Sequence, residues 1–159
     1  MLNIKLIVIG NLKEGYLRDA CAEYQKRLGG FCRFDLVQLK EARLPENPSE
    51  SEIEAALRSE AKEILSLMPQ RAYKIALCVE GGQLSSEELA RRLEQISENS
   101  SEICLVIGSS HGLHTSVKDA SDMRLSVSKL TFPHQLMRLI LLEALYRALN
   151  ITRGTKYHK

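Results

Sequence analysis

The apolar positions of this chain fall into two alternating rhythms, and the alternation predicts the architecture. Leu2 to Ile9 is an apolar, β-branched run stopped by Gly10, as expected of a central strand. Glu14 to Leu28 then places Leu17, Ala20, Cys21, Tyr24 and Leu28 at helical spacing ahead of Gly29-Gly30. Phe31 to Leu39 alternates as a second strand, and Ser51 to Met68 is a charged amphipathic helix closed by Pro69. Between them, Lys40 to Ser51 is acidic and carries Pro45 and Pro48; it reads as a surface connection, and as the longest candidate for a mobile lid. Tyr73 to Val79 is a third strand ending in Glu80-Gly81-Gly82. Ser85-Ser86-Glu87-Glu88 is a capping box that opens a helix to Ser97. Ile103 to Ile107 is wholly apolar, the mark of a strand covered on both faces of a parallel sheet.

Beyond Gly108-Ser109-Ser110-His111-Gly112 the pattern predicts a short helix near Thr115 to Ala120, a fifth strand at Arg124 to Val127, and a long helix from about Pro133 to Leu149. Pro133 is tolerated in a first turn. Apolar residues from Leu136 to Leu149 cover more than one face of this last helix. Gln135 and Arg138 are placed on one polar edge, Glu143 and Arg147 on another. A helix this apolar is buried on two sides, by its own sheet and most simply by a second subunit, so a symmetric homodimer is expected. Strands alternating with helices predict an α/β fold with a mainly parallel sheet flanked by helices, whose ligands sit at the carboxyl ends of the strands.

Composition narrows the class without changing that picture. With 159 residues, 44% of them hydrophobic and 26% charged, one domain over residues 1–159 is expected. No apolar run approaches the roughly 20 residues that cross a bilayer, so the expectation is a cytoplasmic chain with no membrane partner. Cys21, Cys32, Cys78 and Cys104 form no C-x-x-C pair and read as free thiols. The net charge of +2 is uneven: Glu41 to Glu63 holds seven acids against three bases, whereas Arg147 to Lys159 holds four bases and no acid. On charge alone, a solvated tail and an anion-facing tail both remain open.

Three strand ends collect the candidate chemistry: Leu77 to Gly82, Gly108 to Gly112, and Val127 to His134. A glycine turn after a strand lets backbone approach a ligand. The turn at Gly108 is neither G-x-G-x-x-G nor a P-loop, which leaves phosphate binding weakly supported and a plain tight turn as the alternative. A nicotinamide enzyme would also need a ribose-binding acid at the end of the second strand, where Leu39-Lys40 stand. His111 and His114 lie three apart with no carboxylate or cysteine to complete a ligand set, so no metal is expected. His134 opens a helix as a neutral hydrogen-bonding partner or as a cap. At the end of the chain, Tyr157-His158-Lys159 combines an aromatic face, an imidazole and a cation. Those types would stack on, deprotonate and charge-pair with an RNA base, although frayed termini are ordinary.

The run VIGSSHGLH, the segment VSKLTFPHQLMRLILLEALYRALNI and the ending RGTKYHK together resemble the bacterial large-subunit ribosomal RNA methyltransferase H family, of the trefoil-knotted (SPOUT) class. The likeness covers the whole chain, and TFPHQ and the terminal Tyr-His are its most specific parts. It implies an S-adenosylmethionine-dependent methyltransferase acting on N3 of a pseudouridine in a 23S rRNA stem-loop at the subunit interface of the assembled ribosome. It also implies a homodimer and a C-terminal knot over about residues 73–159. Carried over by motif, Leu77, Gly108, Val127, Ser128, Lys129, Leu130, Thr131 and Phe132 would hold the cofactor. His158 would be the base with Tyr157 beside it, and Arg153, Lys156 and Lys159 would meet the RNA. Two positions depart from the pattern: Gly-Ser-Ser stands where many relatives have Gly-Gly, and the last cation is lysine where some have arginine. A non-catalytic RNA-binding or ribosome-assembly dimer is the alternative.

Overall fold

Alternation along the first strand decides which helices cover which face. The computed structural model describes residues 1–158. In β1 (Asn3–Ile9), Ile4, Leu6 and Val8 point into one core and Ile7 and Ile9 into another. Every strand is parallel: β2 (Arg33–Leu39), β3 (Tyr73–Gly82), β4 (Glu102–Ile107) and β5 (Met123–Leu125) join β1 in the order β2-β1-β4-β3-β5.

The first core is closed by α1 (Gly15–Leu28), α3 (Ser86–Asn99) and α5 (His134–Thr152), through Leu17, Cys21, Leu28, Leu89, Leu93, Ile96, Leu141, Leu142 and Leu145. The second is smaller and is closed by α2 (Glu50–Leu67) and α4 (Thr115–Asp119), through Ala61, Ile64 and Val117. The single α/β domain with a parallel sheet is the architecture that the alternating pattern predicts. Among the described residues no helix is long and apolar enough to cross a membrane. Of the four free thiols, Cys21, Cys32 and Cys104 are buried and Cys78 is half-buried, and burial pushes all four up in pKa.

Several boundaries differ from the sequence pattern, and four of them have a local reason. The β3 strand runs on to Gly82 because its ladder with β5 skips from Leu77 to Gly82 through an irregularity. β5 stops at Leu125, paired with Gly82, where the Ser126 N–H donates to the Gly82 carbonyl. α2 opens one residue early, since Ser49 and Glu52 form a capping box of their own. α5 continues to Thr152, because Arg153, not Leu149, adopts the closing turn.

Arg138 is a correction of a different kind. Spacing places it on a polar edge of α5, yet it is only 2% exposed. Its guanidinium donates to Gln38 Oε1 at 3.0 Å and to the Gly10 carbonyl at 2.9 Å, tying α5 to the ends of β2 and β1. The α5 cap also corrects a reading: Pro133 occupies the cap position and no side chain caps the helix, so His134 is its first residue and not its cap.

Candidate functional site

On both sides of β4, neighbouring strands send their helices to opposite faces of the sheet. The chain leaves β1 and β3 for α1 and α3 on the first core, and leaves β4, which lies between them, for α4 on the second. Divergence of that kind opens a crevice at the carboxyl ends of the strands. A cleft of about 710 Å³ lies there, and three stretches line it: Leu77–Glu80, Ile107–Leu113, and a third running from Leu125 to Met137. Its size suits a small organic ligand or cofactor.

Backbone passing against backbone sets the shape of the cleft. A Cβ on Gly108 would strike the carbonyl group of Gly112, and one on Gly81 would lie 2.6 Å from the Leu125 carbonyl carbon and 2.7 Å from the Ser126 nitrogen. Only glycine allows either approach. The Gly112 N–H donates to the Ser109 carbonyl at 2.9 Å, closing the turn after β4. Across the cleft, the Ser126 hydroxyl donates to the Ser128 carbonyl at 3.1 Å and Ser128 Oγ accepts the Leu130 N–H at 2.9 Å, so the crossing loop is braced by its own hydroxyls.

The lining is mainly apolar, with Leu77, Leu113, Leu125, Val127, Phe132 and Met137 among its members. Its lysine, Lys118, is already paired with Glu80, and that contact holds the Glu80 carboxyl below the usual range. A phosphate-bearing cofactor therefore finds little positive charge to meet. An uncharged purine ring with polar edges finds apolar walls and backbone amides and carbonyls. His111 and His134 line the cleft, whereas His114 is turned away: its ring accepts the Ser116 N–H, and its Nε2 lies 2.8 Å from Glu54 Oε1.

Of the residues singled out for a cofactor, Leu77, Gly108, Val127, Ser128, Leu130, Thr131 and Phe132 all line this one cleft. Lys129 is exposed and does not line it. The tail lies elsewhere. Tyr157 packs edge-on against Tyr146 and donates its hydroxyl to Glu143 Oε2 at 2.7 Å, with the Arg147 guanidinium 4.7 Å from its ring centre. His158 Nε2 lies 2.7 Å from Glu87 Oε1 on α3, and its Nδ1 lies 3.3 Å from Arg147 Nη1. A guanidinium only donates, so the tautomer that satisfies both contacts carries its proton on Nε2. Burial and the Glu143 hydrogen bond push the Tyr157 phenol well above its ordinary pKa, so it stays protonated and serves as a donor.

Arg153 is folded back as well: it donates to the Gly30 and Phe31 carbonyls and sits 4.5 Å from the Phe31 ring centre. Lys156 is exposed, and Lys159 lies outside the described residues. Within one chain, the tail and the cleft are separate: no tail residue is in the cleft lining among the described residues. Sequence reasoning missed Glu80, Lys118, Glu87 and Glu143 as partners of these groups, because each pairing joins segments that spacing cannot relate or, for Glu143, joins the tail to the helix before it.

Comparison with known proteins places the same features in a family. The family model described as "Predicted SPOUT methyltransferase" matches residues 2–158. The chain is 47% identical over 159 residues to the ribosomal RNA large subunit methyltransferase H of Streptococcus thermophilus, covering 99% of this chain and 100% of that protein. It is 43% identical over the same coverage to the protein of that name from Clostridioides difficile. Among solved structures, a tRNA (m1G37) methyltransferase from Aquifex aeolicus superposes with a TM-score of 0.56 at 12% identity, over 99% of this chain and 73% of that one. A protein from Haemophilus influenzae described as of a probable methylase family does so with a TM-score of 0.56 at 15% identity, over 99% and 71%. At those identities the superpositions establish a shared fold.

Proposed function

The chain belongs to the SPOUT methyltransferase family, and from that premise we propose that it methylates N3 of a pseudouridine in a 23S rRNA stem-loop of the assembled ribosome, in the cytoplasm, using S-adenosylmethionine. The observation that carries this reading is the cleft at the β3, β4 and β5 ends, apolar, braced by backbone and without an unpaired lysine in its lining. The names of the relatives, which are ribosomal RNA methyltransferases, supply the substrate class.

S-adenosylmethionine, when bound, supplies a methyl group on a sulfonium whose departure is neutral, so alignment dominates the rate. The residues here would do the aligning: Leu77, Val127 and Phe132 enclose apolar parts of the ligand, while the backbone of Gly108 and of the crossing loop meets its polar edges. Lys129, exposed beside the cleft, serves as an approach cation and not as a wall.

The pseudouridine N3 carries a proton that must leave before or during attack. His158 takes it. Tyr157, a protonated phenol held by Glu143, positions the tail and does not act as a base. In the conformation described, the His158 Nδ1 lone pair faces Arg147, so the tail must release Arg147 before it accepts a proton. Arg153 and Lys156, with Lys159, would meet phosphates once the tail is engaged.

A homodimer brings the tail of one protomer to the cleft of the other. Support comes from an apolar rim at the cleft mouth, with Val79 83% and Leu130 72% exposed. In the same reading, residues 1–159 are one domain and the knot spans about 73–159; the tight passage of Leu125-Ser126 over Gly81 supports that threading.

Ribosomes lacking the modification, incubated with this protein and methyl-labelled cofactor, should gain label in the large-subunit RNA at one pseudouridine. Binding of ribosomes without transfer of label would favour a non-catalytic RNA-binding dimer instead.

A further inference from the structure

The cleft lining holds one carboxylate, Glu80, and one ammonium, Lys118, among the described residues, and the two are paired with each other. Glu80 stands in β3, inside the stretch that the ladder with β5 skips and next to Gly81, whose backbone packs under Leu125-Ser126. Lys118 stands in α4, one residue after the fully buried Val117. Both charges are thus carried on main chain that the fold holds in place. The lysine side chain is 18% exposed and the glutamate side chain 43%. Arg124, the cation nearest in sequence, is engaged by Asp119 at 2.8 Å, and neither Glu80 nor Lys118 has a second salt-bridge partner among the described residues.

A half-exposed ion pair adds little to the stability of a fold, but it decides which charged ligands a cleft accepts. A phosphate must draw Lys118 away from Glu80, and a simple cation must draw Glu80 away from Lys118. Either leaves one member of the pair unmatched against mainly apolar walls. A zwitterion leaves neither. With an ammonium on Glu80 and a carboxylate on Lys118, four charges alternate in sign and each attracts its neighbours. The other linings are apolar side chains, hydroxyls, two imidazoles and glycine backbone, so this pair is where a doubly charged end of a ligand is recognised.

We propose that Glu80 and Lys118 form the subsite for the α-amino-acid end of the methyl donor and set the preference for ligands that carry such a zwitterion. The proposal rests on the methyltransferase reading above. S-adenosylhomocysteine carries the zwitterion, whereas 5′-methylthioadenosine shares its adenosine and thioether and lacks it. The measurement is calorimetric titration of both into the full chain, Glu80→Gln and Lys118→Met, with thermal unfolding of each. Loss of a mere brace weakens both ligands alike, so the ratio of the two affinities separates recognition from bracing.

The wild type should bind S-adenosylhomocysteine at least about 30-fold more tightly than 5′-methylthioadenosine, from two charge-assisted contacts. That preference should fall about ten-fold in Lys118→Met and about five-fold in Glu80→Gln, the more exposed partner, while 5′-methylthioadenosine binds within about two-fold of wild type. A fall of less than about three-fold in either variant overturns the proposal, as does a wild type that binds the two ligands equally. Should a single variant fail to fold, the exchanged pair Glu80→Lys/Lys118→Glu, which keeps an ion pair, decides by the same ratio and the same threshold. No binding of S-adenosylhomocysteine to the wild-type chain would overturn the methyltransferase reading together with this one, whereas tight binding by the wild type with an unchanged ratio in the variants overturns this one alone.

Discussion

In the strand-end cleft the shape comes from backbone packed on backbone, at Gly81 under Leu125-Ser126 and at Gly108 under Gly112, whereas the tail is kept in place by side chains on a half-exposed surface. The first arrangement has nowhere to move, because a buried main chain cannot yield without breaking the sheet ends around it. The second is a set of exchangeable contacts, each worth little in water. The contrast matches the two tasks proposed above. A cofactor site gains from being preorganised before the ligand arrives, while a tail that is to meet a large RNA, as proposed, gains from a resting place it can leave.

The comparison breaks first, and hardest, at the glycines. Gly108→Ala drives a Cβ into the Gly112 carbonyl group, and Gly81→Ala drives one against Leu125 and Ser126. Each should cost about 3 kcal/mol or more of stability by urea unfolding, and what remains folded should bind S-adenosylhomocysteine at least about 100-fold more weakly. Next is His158→Ala, which should lower methyl transfer by about 10²–10⁴-fold, the usual worth of a general base, with the fold unchanged by circular dichroism.

Tyr157→Phe is smaller, about 1 kcal/mol, the usual net worth of one hydrogen bond. It carries a pH signature. The Tyr157 phenol is raised above its unfolded value by burial and by Glu143, so its contribution is fully present below about pH 10 and is lost as the pH rises through the raised value. In a spectrophotometric titration of the five tyrosines, one should ionise late in the wild type, and that late step should vanish in Tyr157→Phe. Last comes Glu87→Gln, an exposed partner of His158, which should change stability by less than about 0.5 kcal/mol.

The sequence made the cleft more legible than the tail, for the same physical reason. Apolar runs such as Ile103–Ile107 announce buried strands, and a strand followed by glycines announces a ligand-facing turn, so the three lining segments were readable without coordinates. The Ser49–Glu52 capping box was readable too and would have placed the start of α2 correctly. Arg138 was not: its acceptors, Gly10 and Gln38, are 128 and 100 positions away, and helical spacing alone puts an arginine on the wet side. Glu60, buried in the structure, was hidden in a helix rich in charge, where nothing separates a buried acid from a solvated one. The tail contacts were illegible because Glu87 and Glu143 lie on different helices and only the fold brings both to Tyr157 and His158. Arg153, a natural choice for RNA from its position in a basic ending, is occupied by the Gly30 and Phe31 carbonyls.

That the cleft alone holds the cofactor while the tail supplies only the chemistry is tested most directly by calorimetric titration of S-adenosylhomocysteine into the wild-type chain and His158→Ala side by side. Equal affinities, within about two-fold, are the predicted result. Loss of binding on removal of the imidazole would place the tail in the cofactor site and contradict the division between the two regions.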